Sequence, residues 1–339
     1  MPIVLDAMGS DDYPIPEIQA ARDLLQNGEK VILVGKKDLL LSKAVELSID
    51  LSPIDIIDAP DIVEMTDKPV ESFKQKPNNS MAIGLSLVKD QKADAFVTAG
   101  NTGAAYFNAV MILRKIQGIS RPALAALIPV KNGRCVFMDT GANADCRPDF
   151  LLEFALMGSA YAGKVFGVSE PKVALLSNGE ESTKGNQLVK DAFPLLEKSG
   201  LNFVGNVEPK EIFGGHVNCV VTDGFSGNVF LKSSESVARL ITDTLKDSIK
   251  SSTRNKIGYI FIKPAFDDLK KMMDPSEAGA AILLGVNGLV FIGHGRSDAR
   301  ALVSAVKLAR RTVDAGLMES LKRDISNHFN QNNGTQNQA

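Results

Sequence analysis

Four short polar turns bring glycine together with asparagine, threonine or serine directly after an apolar run. They are Gly100-Asn101-Thr102-Gly103, Asp139-Thr140-Gly141-Ala142-Asn143, the stretch from Ser177 that ends in Lys184-Gly185-Asn186, and Asp223-Gly224-Phe225-Ser226-Gly227-Asn228. Glycine lets a backbone approach a ligand closely, the first turn of a helix leaves amide N–H groups unpaired, and the polar side chains add donors. The chemistry such turns serve is anion binding, with phosphate the natural guest. Glycine, asparagine and aspartate are common in any turn, so one loop alone says little. Together, the turns predict one composite pocket.

The elements that must position these turns show as buried apolar runs: Ile3 to Leu5, Val31 to Val34, Ile54 to Ile57, Ala95 to Val97, Cys135 to Met138, Val173 to Leu176, and Val220 with Val221. Amphipathic helical stretches lie between most of them, as at Ile18 to Leu25, Met81 to Val88, Phe150 to Tyr161 and Leu188 to Leu196. Alternating β and α elements predict an α/β chain with a largely parallel sheet covered on both faces, and ligands beyond the carboxyl ends of its strands. The polar turns fall at those ends. No dinucleotide, Walker or nucleophile-elbow glycine signature occurs in the chain.

A chain of 339 residues that is 44% hydrophobic can bury a large core. A formal charge of -2 gives no overall basic field for nucleic acid. Cys135, Cys146 and Cys219 lack metal-ligand spacing and are too few for a disulfide framework. With no leader and no membrane-spanning run, a cytoplasmic or at most peripheral protein is expected. A single catalytic domain is predicted over residues 1–329, followed by a loose Asn- and Gln-rich tail at 330–339.

One further segment stands apart. Val229, Phe230, Val237, Leu240, Ile241, Leu245 and Ile249 recur at helical spacing, and Lys246, Lys250, Arg254, Lys256 and Lys263 surround Tyr259-Ile260-Phe261-Ile262. Pro264 interrupts, and Leu269, Met272 and Met273 continue the apolar face. A packed stem with an exposed apolar tip is expected, so residues 246–275 are read as a protruding helical hairpin for dimer and membrane contact.

As a set, Asp6-Ala7-Met8-Gly9, Ala99-Gly100-Asn101-Thr102-Gly103, Gly141-Ala142-Asn143-Ala144-Asp145-Cys146-Arg147-Pro148, Lys184-Gly185-Asn186, Asp223 through Val229, Leu284-Gly285-Val286-Asn287-Gly288 and Ile292-Gly293-His294-Gly295 closely resemble bacterial phosphate acyltransferase. That family is the acyl-[acyl carrier protein]:phosphate transacylase of phospholipid synthesis. The resemblance implies a three-layer, phosphotransacetylase-like α/β/α fold, related to that of isocitrate dehydrogenase. It implies a homodimer, acyl carrier protein as acyl donor, inorganic phosphate as acceptor, and a membrane glycerol-3-phosphate acyltransferase that consumes the acyl phosphate. It also implies peripheral contact with an anionic membrane at the inner face of the cell membrane. Ser10 stands where the family usually has a second glycine.

For that reaction Lys184 is the expected charged partner of phosphate or oxyanion, Asn228 an oxyanion donor or a simple helix cap, and His294 the acid for the departing thiolate or a structural histidine. Gly100, Asn101, Thr102, Gly103, Asp139, Gly141, Asn143, Asn186, Asp223, Gly224, Ser226 and Gly227 are expected to bind phosphate or carbonyl. Arg147 and Lys184 are the expected partners of Asp139, Asp145 and Asp223, and neither a metal nor a cofactor is expected. Lys263, Lys270, Lys271, Arg296 and Arg300 are candidates for docking the acidic carrier protein. A short-chain CoA-dependent phosphotransacetylase, an isocitrate-type dehydrogenase and an idle scaffold are the competing readings.

Overall fold

The computed structural model describes residues 1–131, 133–277 and 279–336, and the side chains of 270–273, 275 and 329–336 lie outside that description. The strands are β1 (Ile3–Asp6), β2 (Val31–Gly35), β3 (Asp55–Asp58), β4 (Ala95–Thr98), β5 (Ala123–Val130), β6 (Gly133–Met138), β7 (Val173–Leu176), β8 (Phe203–Val207), β9 (Cys219–Val221), β10 (Ala281–Leu284) and β11 (Leu289–Ile292). The helices are α1 (Ile15–Gln26), α2 (Lys37–Glu46), α3 (Pro69–Gln75), α4 (Ser80–Lys89), α5 (Thr102–Leu113), α6 (Pro148–Phe166), α7 (Gln187–Glu197), α8 (Pro209–Gly214), α9 (Gly224–Lys250), α10 (Thr253–Met273), α11 (Ala299–Asp314) and α12 (Leu317–Gln336). Every apolar run read as a strand is one, and β5, β8, β10 and β11 are additions.

The sheet order is β3-β2-β1-β4-β11-β10-β5-β6-β9-β7-β8. Alternate residues of a strand point to opposite faces, and here both faces are apolar. Ile3, Leu5, Leu33 and Val97 join one core cluster, whereas Val4, Ile32, Val34 and Phe96 join another. Helices therefore cover both faces, which makes the three-layer α/β/α arrangement. The sheet is not parallel throughout. β10 pairs antiparallel with β11 and with β5, and β5 pairs antiparallel with β6. The outer blocks, β3-β2-β1-β4-β11 and β6-β9-β7-β8, are each parallel but run in opposite directions.

Helices α9 and α10 form the expected hairpin, turning at Ser251 and Ser252. Only the base of its stem packs on the chain's own core, where Phe230 stacks on Phe137 at 4.7 Å and Leu231 lies beside the same cluster. The buried residues of α9 are Gly224 and Gly227, while Leu240 is 66% exposed. Ile260, Phe261 and Ile262 are exposed, but they lie within α10, roughly 10 Å from the turn along the helix. They are a flank rather than a tip. Tyr259 packs edge-on against Phe266 at 5.5 Å. Met272 and Met273 fall outside the described side chains. At the other terminus, α12 continues through Gln336 where a loose tail from residue 330 is expected. Leu317, Leu321 and Ile325 pack that helix into the core, and propagation from a packed nucleus carries the polar stretch. Residues 337–339 lie outside the described ones.

Candidate active site

The strand reversal decides where the polar turns go. The blocks are staggered, so their carboxyl ends approach from opposite directions and meet at nearly one level: Thr98 and Ile292 align with Ala126 of β5, and Met138 and Val221 with Ala125. The turns after β4, β6 and β9 therefore face a common cavity of about 840 Å3 floored by β5, into which α5 contributes Thr102, Gly103 and Tyr106 and α9 contributes a whole face. The 139–143 turn adds Thr140, Gly141 and Ala142, and the loop after β11 adds Gly293 and His294.

Asp139 is the organiser of its turn, not a phosphate ligand. Its carboxylate is buried and accepts N–H groups from Leu124 (3.0 Å), Gly141 (3.1 Å) and Ala142 (3.0 Å) on one oxygen. The other oxygen accepts the backbone N–H of Asn143 at 2.7 Å and its side-chain amide at 3.0 Å. Burial pushes the carboxyl upward and these donors oppose it. The same Asn143 amide also donates to the Pro122 carbonyl at 2.8 Å, so Asn143 belongs to the frame too. Neither Arg147 nor Lys184 pairs with Asp139, because backbone amides already satisfy it; Arg147 pairs with Asp149 at 2.7 Å.

Against this turn the start of α9 fits without room for side chains. Asp223 caps the helix by accepting the Ser226 N–H at 2.7 Å, and the Gly224 N–H donates to the Asn143 carbonyl at 2.8 Å. A Cβ on Gly227 would collide with the Asp139 carbonyl oxygen, and one on Gly224 would lie 2.6 Å from the Asn143 oxygen. Asp223, Gly224, Ser226 and Gly227 thus build the joint, and Asn228 is the residue it delivers to the cavity. The Asn228 amide hangs over Gly141, whose φ is +133°; a Cβ there would be 3.2 Å from Nδ2. Among the described residues that amide has no hydrogen-bond partner.

Asn101 is likewise spent on structure. It caps α5 by accepting the Ala104 N–H at 3.0 Å and donates to the carbonyls of Met65 (2.9 Å) and Asp67 (3.0 Å). Gly100 sits where its loop crosses Gly9. Thr102 and Gly103, the first turn of α5, are the members of this motif that face the cavity. His294 lies 3.4 Å from Glu235, which Arg296 approaches at 3.5 Å. Burial would raise the Glu235 carboxyl, but His294, Arg296 and Arg239 outweigh it and hold the group below the usual range.

Two predicted residues are not brought to the cavity. Lys184 and Asn186 are exposed on the loop after β7, and β9 separates β7 from β6. Asn186 caps α7, accepting the Val189 N–H at 3.0 Å. The carrier-docking candidates among the described side chains are each paired with an acid: Lys263 with Asp267, Arg296 with Glu235, and Arg300 with Glu277 and Asp274. Lys270 and Lys271 lie outside the described side chains. Glu180, Glu208 and Glu211 converge, but Lys210 pairs with all of them.

The residues that sequence reasoning missed are the apolar walls and a cation. Leu124, Ala126 and Ile128 of β5 and Leu231, Ala238 and Ile241 of α9 make the cavity a greasy trough. Lys232 lines it without an acid partner among the described residues. Residues 228, 231, 232, 235 and 238 share one helical face, a signal present in the sequence beside the apolar face already noted.

Fold and cavity define the class. Among solved structures, a phosphotransacetylase from Streptococcus pyogenes superposes with a TM-score of 0.63 at 20% identity, covering 94% of each chain. A 4-hydroxythreonine-4-phosphate dehydrogenase from Klebsiella pneumoniae gives 0.56 at 13% identity, covering 92% of this chain and 99% of that one. The shared architecture is the phosphotransacetylase-like α/β/α fold. Residues 1–320 match the family described as fatty acid synthesis protein, and the chain belongs to that family. It is 42% identical over 328 residues to the phosphate acyltransferase of Acidobacterium capsulatum, covering 96% of this chain and 97% of the relative. It is also 42% identical over 330 residues to that of Elusimicrobium minutum, covering 97% of each. The chain is an acyltransferase of fatty acid and phospholipid synthesis. No helix among the described residues is long and apolar enough to cross a membrane.

Proposed function

We propose that the chain transfers a long-chain fatty acyl group reversibly from acyl-[acyl carrier protein] to inorganic phosphate, giving acyl phosphate for phosphatidic acid synthesis. The observation that carries this reading is the joining of anion-binding helix starts, at Thr102 and near Asn228, to an apolar trough of about 840 Å3. From Asn228 to Ile241 the lining face of α9 extends roughly 20 Å, far more than an acetyl group needs.

In the reaction a phosphate oxygen attacks the thioester carbonyl carbon, an oxyanion develops as the C–O bond forms, and the C–S bond then breaks to release a thiolate. Thr102 and the amides of the first α5 turn seat the phosphate, with Lys232 supplying the charge first expected of Lys184. The unpartnered Asn228 amide donates to the oxyanion. His294, oriented by Glu235, delivers the proton to the thiolate. The apolar walls exclude water, so the acyl phosphate survives. In this reading the chain acts as a homodimer in the cytoplasm, peripherally attached to the inner face of an anionic membrane. There Ile260, Phe261 and Ile262 touch lipid and a glycerol-3-phosphate acyltransferase takes the product. The exposure of those residues beside Lys256 supports the contact.

The test supplies purified protein with long-chain acyl-[acyl carrier protein] and labelled phosphate and scores acyl phosphate, with acetyl-CoA in parallel. Long-chain product is expected. Turnover of acetyl-CoA alone would assign the short-chain activity named for the Streptococcus structure, and no turnover with either donor would refute both.

A further inference from the structure

On the other side of Tyr106 lies a second, shallower cavity of about 530 Å3 that the reaction above leaves unused. Lys115, Arg121 and Arg147 line it together with Phe107 and Phe150, and among the described residues the carboxylate at its rim is that of Asp149, paired with Arg147. Each cation is placed by its surroundings. The Lys115 ammonium donates to the Ser120 carbonyl at 2.9 Å. Arg147 makes two bonds to Asp149, at 3.1 and 2.7 Å, and its guanidinium lies 4.6 Å from the centre of the Phe150 ring. Below the floor the buried Glu153 carboxylate accepts the backbone N–H groups of Ser120 (2.8 Å) and Arg121 (3.4 Å), fixing the segment that carries Arg121.

Arg121 itself has no acid partner among the described residues. Its neighbour is the Tyr106 hydroxyl, which burial pushes up and Arg121 pulls down. The Arg121 guanidinium, with the N–H groups that Arg147 and Lys115 do not spend on Asp149 and the Ser120 carbonyl, forms on this concave, aromatic-walled surface a donor set for tetrahedral phosphate oxygens. Because Tyr106 belongs to both cavities, a ligand held here by phosphate has its next atoms directed past that ring toward the acyl trough.

We infer that this second cavity is a phosphate subsite, seating either the phosphodiester of the prosthetic arm that carries the acyl thioester or a free inorganic phosphate. The inference rests on the acyl-transfer reading for its role, but the binding chemistry stands apart from it. The experiment compares the full chain with Arg121→Glu, Arg121→Lys and Lys115→Ala, all at exposed positions and checked for unchanged circular dichroism. KM is measured separately for the carrier-linked donor and for phosphate, and binding of pantetheine 4′-phosphate and of inorganic phosphate is measured by calorimetry.

A rise of roughly ten-fold or more in donor KM for Arg121→Glu, partly restored in Arg121→Lys with kcat near the parent value, supports the prosthetic-arm phosphate. A rise confined to the phosphate KM supports the free-phosphate source at the same subsite. KM values that move for neither substrate overturn the subsite. If the parent chain transfers no acyl group, calorimetry still decides: loss of phosphate-ligand binding in Arg121→Glu keeps the subsite, and undiminished binding removes it.

Discussion

In the proposed mechanism Asn228 carries more of the chemistry than any neighbour, because the residues around it are consumed in holding it. Asp139, Asn143, Asp223 and the flanking glycines spend their bonds on one another, leaving one free amide over Gly141. Asn228→Ala is expected to lower kcat by about 10²–10³, the usual cost of one oxyanion donor, with the phosphate KM little changed. Steady-state acyl phosphate formation checks it; an unaltered kcat would remove Asn228 from the mechanism. A different residue sets a pH dependence. Glu17 is buried, accepts the Ser10 N–H at 3.0 Å on one oxygen and has no partner for the other. Burial pushes its carboxyl from 4.5 to about 7, so the folded chain keeps a proton that the unfolded chain gives up. Stability from this site is full below 4.5 and is lost as pH rises through about 7. Glu17→Gln cannot ionise and should melt higher than the parent at about pH 8 but alike at about pH 4. Equal melting temperatures at the higher pH would mean that the carboxylate finds a partner when it ionises.

Helix α9 walls the trough and, in the proposed reaction, measures the acyl chain. Ala238 lines it well away from Asn228, so Ala238→Phe is expected to depress transfer of long acyl chains by ten-fold or more while shorter chains keep their rate. A chain-length series of donors reads this directly, and a uniform loss across lengths would place the acyl chain elsewhere. Legibility in the sequence followed the same division. Most strands of the parallel blocks were plain, since runs such as Ile3 to Leu5 and Val31 to Val34 are buried on both faces, although β8 and β11 were missed. β5 and β10, with sequences ALAALIPV and AILL, were missed too, because the periodicity of a short apolar run does not separate strand from helix. With them went the reversal of the sheet, which no local pattern encodes. Hence Thr102, Gly141, Asn228 and His294 were found as cavity residues, whereas Lys184 and Asn186, in an equally suggestive turn, lie beyond β9. Asn101 and Asp139 were read as binding residues, and their bonds place them in the frame of their turns.

At the scale of the molecule, the exposed apolar face of α9 calls for a cover. Val237 and Leu240 are 55% and 66% exposed in the single chain, on the part of the helix beyond its Phe230 and Leu231 contacts with the core. A second copy of the chain is the cover proposed above, so Leu240→Lys is expected to shift the protein from dimer toward monomer in sedimentation velocity; an unchanged dimer would move the interface to another face. The central sheet has an outcome of its own for the order in which the chain can assemble. β5 and β4 emerge in the first half of the sequence, yet the strands that bridge them, β10 and β11, begin only at Ala281. During synthesis the two blocks must wait as separate half-sheets until the last fifth of the chain arrives and zips them together. The cavity, floored by β5 and lined by Ile292 and His294, is thus among the last features to exist. In the proposed reaction, a chain that ends before that hairpin lacks the walls that would shield an activated acyl group from water.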